Sequence, residues 1–301
     1  MTQLTEAPEQ AVAPDSRGRA RGVGMVLAAS ASNQTGAAIG ALAFPVIGPV
    51  GVVAVRQIVA GVVLTAAVRP RLRGLRREQW MPIIGLAVVF SVMNLCLYAA
   101  VERVGLGLAV TLEFLGPLAV AIIASRRAID VACAGLAGIG VVVLTRPGPS
   151  TDLLGIGLAL TAAAAWAGYI LLNRTVGRRV PGIQGTATAS LLTGLAWAPV
   201  AAVWFVVHPP TPLALTLAAA CAVLASVVPY VIDLLALRLI PAALFGTLTS
   251  VNPVWAALAG WALLGQTLSV QAWSGLGLIV LANAVVSLHG VRLRPSRVSG
   301  G

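Results

Sequence analysis

Residues 98–122 read YAAVERVGLGLAVTLEFLGPLAVAI, and residues 234–258 read LLALRLIPAALFGTLTSVNPVWAAL. At a constant offset of 136, Thr111 falls on Thr247, Leu112 on Leu248 and Pro117 on Pro253. Both stretches are largely apolar and long enough to contain most of a bilayer span of about 20 residues. The spacing between two such copies states how many helices separate them, and so decides the architecture.

Outward from this pair the chain is a succession of apolar runs. Ten spans are expected, at 22–44, 47–68, 80–100, 104–124, 129–145, 153–173, 185–207, 213–237, 240–263 and 268–290. The offset maps the fourth span onto the ninth, so each repeat holds five helices. An odd number inverts the second copy in the membrane, an arrangement typical of secondary transporters with a site near the midplane. The expected fold is an all-α integral membrane protein of ten transmembrane helices, built as two inverted five-helix repeats over 22–145 and 153–290. Residues 1–21 are polar and rich in Pro and Ala, and are expected to form a disordered cytoplasmic tail. Residues 291–301 form a second short tail.

Composition excludes the soluble alternatives. Of 301 residues, 58% are apolar before the 32 glycines are counted, and 10% are charged. Soluble domains carry roughly 25% charged residues, and a water-soluble fold cannot cover its surface with so few. Mean hydropathy is +0.95. Ten helices use about 200 residues, which leaves no loop long enough for a soluble domain. The apolar runs are continuous rather than alternating, which excludes a β-barrel.

The net charge of +11 orients the chain and is not a nucleic-acid footprint, because the arginines lie between apolar runs. With the N-terminus in the cytoplasm, seventeen of the twenty arginines fall in cytoplasmic segments. Only Arg103 and Arg146 fall outside, and Arg56 lies within a span. Positive charge is retained on the cytoplasmic side, so both termini are expected there, in a multi-pass protein surrounded by lipid.

Polar groups at membrane depth are costly and mark function. Arg56 lies near the middle of the second span and Glu113 near the middle of the fourth. They are expected to face each other or a shared aqueous cavity. Asn33 and Gln34 in the first span, Asn94 in the third and Asn252 in the ninth add polar groups at similar depth. Trp166 lies away from the span ends, as does Trp255, for which packing is the plainer reading. Proline has no N–H, so Pro117 leaves the Glu113 carbonyl, and Pro253 the Thr249 carbonyl, without a helical donor. Asp233, near the cytoplasmic end of the eighth span, is expected to reach the surface or pair with Arg238.

Other chemistry finds no support. Cys96, Cys133 and Cys221 lie inside apolar runs without ligand spacing, so neither a metal nor a cofactor is expected. His208 and His289 lie at span ends, and most of the nine carboxylates are in tails and loops. No Ser/His/Asp-type constellation is visible, which argues against an enzyme.

Three stretches carry a family resemblance: AASASNQTGAAIGALAFP from Ala28 to Pro45, GLGLAVTLEFLGPLAVAIIASRRAID from Gly105 to Asp130, and FGTLTSVNPVWAALAGWALL from Phe245 to Leu264. They resemble the EamA family of the drug/metabolite transporter superfamily, and most closely its bacterial threonine/homoserine exporters. The resemblance covers about residues 22–290. It implies an exporter of small amino acids in the bacterial cytoplasmic membrane, driven by the proton gradient. The family commonly ends its last long motif with Leu-Gly-Glu, where this chain has Leu264, Gly265 and Gln266. A zwitterionic cargo needs a cation for its carboxylate and an anion for its ammonium, and Arg56 and Glu113 supply both. On this reading Asn33, Arg56, Asn94, Glu113, Trp166 and Asn252 contact cargo, and Glu113 carries the coupling proton. The alternative keeps the fold and changes the cargo to another small metabolite or a toxic cation.

Overall fold

The computed structural model describes residues 16–104, 106–125, 127–145, 152–264 and 269–292, and the described residues are helical throughout, without strands. The two tails expected at the termini lie largely outside this range. In chain order the helices are α1 Ser16–Ala41, α2 Phe44–Val68, α3 Arg77–Val104, α4 Leu106–Ala124, α5 Ala128–Thr145, α6 Leu153–Arg179 and α7 Gln184–Val207. There follow α8 Pro212–Ala222, a π turn at Val223–Val227, and α9 Val228–Leu239. Last come α10 Ala242–Leu248, a 3-10 turn at Thr249–Val251, α11 Asn252–Leu264 and α12 Val270–Arg292. Helix α1 begins six residues before the span expected from 22.

Five helical segments are long and apolar enough to cross a membrane: Phe44–Val68, Arg77–Ala100, Leu153–Arg179, Gln184–Val207 and Pro212–Leu239. Shorter apolar segments occur at Leu112–Ala124, Ala128–Val143, Ala242–Val251 and Trp273–Ala282. Helix α1 is not among the five, and its sequence shows why: Ser30, Ser32, Asn33, Gln34 and Thr35 interrupt it, and three arginines open it. Large apolar side chains point outward from several helices, including Val62, Ile84, Ile123, Val203 and Val280. Such a surface is unfavourable in water and suits lipid. The protein is a multi-pass, all-helical membrane protein.

The helices pack α3 on α6, α2 on α7, α5 on α12 and α4 on both α6 and α10, while α1 lies against α8, α9 and α11. The main core joins Val26, Ile83, Leu86, Phe90, Ile170, Leu234 and Phe245. Small residues permit the closest crossings, as is usual where helices meet in lipid. Gly116 of α4 lies against the Ala163 carbonyl of α6, and a Cβ there would collide with that backbone. A Cβ on Gly246 of α10 would come within 2.6 Å of the Pro117 carbonyl oxygen. These two crossings fix the middle of α4, and Glu113 with it.

At the entrance to α6, the Asp152 carboxylate accepts from the Gly155 N–H at 2.8 Å and forms an ion pair with Arg103 at 3.0 Å. It thus closes a free backbone donor of the first turn. The Gly155 N–H and then the Arg103 guanidinium hold this carboxyl below its usual range.

Candidate functional site

Two prolines interrupt helices on opposite sides of a central cavity. In α9, Pro229 has no N–H to offer the Ala225 carbonyl at the α-helical spacing. The preceding segment widens into the π turn, with the Val228 N–H bonding the Val223 carbonyl. The Ala225 carbonyl accepts instead from Arg56 Nη2 of α2, at 2.8 Å. Arg56 Nε donates to Ser226 Oγ at 3.1 Å and Nη1 to the Tyr98 hydroxyl at 3.1 Å. Ser32 of α1 donates to the neighbouring Leu224 carbonyl at 2.7 Å. Arg56, only 6% exposed, is thereby tied to a backbone defect on another helix.

Before Pro253 the chain tightens rather than widens. The sequence reading left the Thr249 carbonyl without a donor; the 3-10 turn corrects this, because the Asn252 N–H reaches the Thr249 carbonyl across three residues. Hydroxyls complete the local bonding: Thr249 Oγ1 donates to the Gly246 carbonyl at 2.8 Å, and Ser250 Oγ to the Thr247 carbonyl at 2.6 Å. In α4 Pro117 lies inside a continuous helix.

The cavity between these elements measures about 140 Å³. At a minimum of roughly 10–15 Å³ per water, that space suits a small polar solute. Its lining includes all six residues expected to meet cargo: Asn33, Arg56, Asn94, Glu113, Trp166 and Asn252. Arg56 and Glu113 therefore share a cavity, the second of the two arrangements expected for them. They do not form an ion pair; the salt bridge among the described residues joins Arg103 and Asp152. Glu113 is 7% exposed and has no hydrogen-bond partner among the described residues. Asn94 donates to the Phe90 carbonyl at 2.8 Å, and Gln34 Nε2 to Asn252 Oδ1 at 3.3 Å. Trp255 packs with Phe114 and Val254, away from the cavity lining.

The expectation for Asp233 is corrected. Asp233 lines the cavity and accepts from the Tyr169 hydroxyl at 2.7 Å. Arg238 donates instead to the carbonyls of Gly177, Val180 and Gly182, at 2.9, 3.0 and 2.6 Å. Tyr98, Tyr169, Tyr230 and Thr249 also line the cavity and were not singled out from the sequence. Among the described residues, no group of three His, Cys, Asp or Glu side chains is placed to hold a metal ion.

Comparison with known proteins bears on this arrangement. The model of the EamA-like transporter family matches residues 153–288. The threonine/homoserine exporter RhtA of Escherichia coli K12 is 36% identical over 270 residues, spanning 86% of this chain and 88% of that protein. RhtA of Salmonella typhimurium LT2 is 36% identical over 81% of this chain and 84% of its own length. A crystal structure at 20% identity superposes with a TM-score of 0.72, covering 92% of this chain and 99% of the other, which shows a shared fold. With more than a third of its residues identical along nearly the whole of a characterised exporter, the chain belongs to the EamA-like transporter family.

Proposed function

We propose that this protein exports small amino acids of the threonine and homoserine type across the bacterial cytoplasmic membrane, in exchange for protons. The observation that carries the reading is the shared cavity of Arg56 and Glu113. Arginine has five N–H donors; three of those of Arg56 are committed to protein acceptors, which leaves two for a cargo carboxylate. Glu113, with no protein partner among the described residues, is free to attract an ammonium. Protonation of Glu113 removes that attraction and releases the cargo, and its loss on the cytoplasmic side restores the attraction. The identity to exporters of threonine and homoserine supports both the cargo class and the direction.

The same reading takes the chain as ten spans in two inverted repeats, 22–145 and 153–290, with both termini in the cytoplasm. The helix neighbours support it. Exchanging each span with the one five places along turns the α3–α6 contact into that of α8–α9 with α1. It turns the α4–α6 contact into that of α10–α11 with α1, and maps the α2–α7 and α5–α12 contacts onto themselves. The family match over 153–288 also coincides with the second repeat.

The test is transport by the purified protein in proteoliposomes loaded with labelled threonine. Threonine is expected to leave faster under a pH gradient than without one, and unlabelled homoserine to compete. Threonine movement indistinguishable from protein-free liposomes under both conditions would contradict the cargo assignment.

A further inference from the structure

The cavity contains a second carboxylate that is held quite differently from Glu113. Asp233 Oδ2 accepts from the Tyr169 hydroxyl at 2.7 Å, which fixes the orientation of the carboxyl group. No cation pairs with it among the described residues, since Arg238 is committed to three backbone carbonyls and the salt bridge described there lies elsewhere. A carboxylate at membrane depth is retained against a considerable cost, and a tyrosine bond to one oxygen leaves its charge uncompensated. The surroundings are aromatic. Tyr230 stacks on Phe90 with ring centroids 4.0 Å apart, Tyr169 lies 5.8 Å from Phe90, and the buried Tyr230 hydroxyl has no partner. Aromatic faces beside an anion attract an organic cation.

We propose that Asp233, oriented by Tyr169, is a second acceptor for the primary ammonium group of the cargo and sets the preference for amines over hydroxyl analogues. The inference rests on the transporter reading above and deepens it. An ammonium has three N–H donors, more than one carboxylate oxygen satisfies. Glu113 is the acceptor whose charge changes during the cycle; Asp233 is the one whose geometry stays constant. Tyr169 is a positioning residue that acts through Asp233.

The test is equilibrium binding to the detergent-purified protein at one pH. The ligands are threonine, 2,3-dihydroxybutanoate (threonine with its amine replaced by hydroxyl) and 2-aminoethanol, which has an ammonium but no carboxylate. The wild type is expected to prefer threonine to the dihydroxy acid and to bind 2-aminoethanol. Asp233→Asn, nearly the same shape, is expected to reduce that preference at least tenfold and to weaken 2-aminoethanol similarly. Tyr169→Phe is expected to change the preference in the same direction by a smaller factor. If Asp233→Asn weakens threonine and the dihydroxy acid equally, or leaves 2-aminoethanol unchanged, the subsite is refuted. It is also refuted if the wild type binds neither ammonium compound. If the wild type binds 2-aminoethanol in an Asp233-dependent way but not threonine, the threonine assignment fails and the ammonium subsite stands.

Discussion

The two helix breaks at the cavity have one cause and opposite outcomes. Each precedes a proline, Pro229 or Pro253, that withholds an N–H from the carbonyl four residues back. The eighth span widens into a π turn, whose exposed groups are taken by other helices: Ala225 by Arg56 of α2 and Leu224 by Ser32 of α1. The tenth helix tightens into a 3-10 turn, whose groups are taken by its own Asn252, Thr249 and Ser250. A proline thus creates the vacancy, and the neighbouring side chains decide how it is filled. The π turn is fastened to two other helices, whereas the 3-10 turn is closed on itself and leaves Thr249 and Asn252 facing the cavity.

The largest difference is expected from removing the fastening. Arg56→Met strips the Ala225 carbonyl, Ser226 and Tyr98 of their donor, and an unsatisfied buried polar group costs about 1–3 kcal/mol. The purified variant should melt well below the wild type and bind no amino acid, because the cargo carboxylate loses its partner as well. If its melting temperature matches that of the wild type, the π turn is not held by Arg56.

A smaller effect on stability, with a larger one on function, is expected at the second break. Pro253→Ala returns an N–H to the Thr249 carbonyl and permits a regular α-turn. Proline costs about 3 kcal/mol in a helix interior, so the variant should melt no lower than the wild type. Threonine efflux should nevertheless slow several-fold as Thr249 and Asn252 shift. A variant that is less stable yet transports normally would reverse the contrast between the two breaks.

Asp152→Ala, remote from both breaks, sets the lower limit. It removes a helix cap and a half-exposed ion pair, and surface pairs contribute little. Because the carboxyl is held below its ordinary value, its stabilising contribution is fully present above that value and is lost as the pH falls through the lowered one. The melting temperatures of variant and wild type should therefore differ slightly at neutral pH and converge in strong acid. A gap that persists in strong acid would show that the carboxylate charge is not responsible.

The contrast also explains what could be read from the sequence. All six residues expected at the cavity line it, because a polar group at membrane depth is costly enough to be a signal in itself. Tyr98, Tyr169 and Tyr230 were missed because a tyrosine in an apolar run reads as packing until its hydroxyl is seen to bond. Asp233 was assigned to the surface by extending a regular helix past Pro229. The π turn adds a residue to one turn and so rotates everything after it, and it depends on Arg56, which is 170 residues away along the chain. The chemistry was legible residue by residue, whereas the register was set by a partner on another helix.

The central claim is that Glu113 exchanges a proton with cargo binding, and Glu113→Gln in proteoliposomes tests it most directly. The account predicts that this variant still exchanges labelled for unlabelled threonine at equal pH on both sides, at a reduced rate. A pH gradient should no longer accelerate its net efflux. Full acceleration of net threonine efflux by the pH gradient in that variant would contradict the claim.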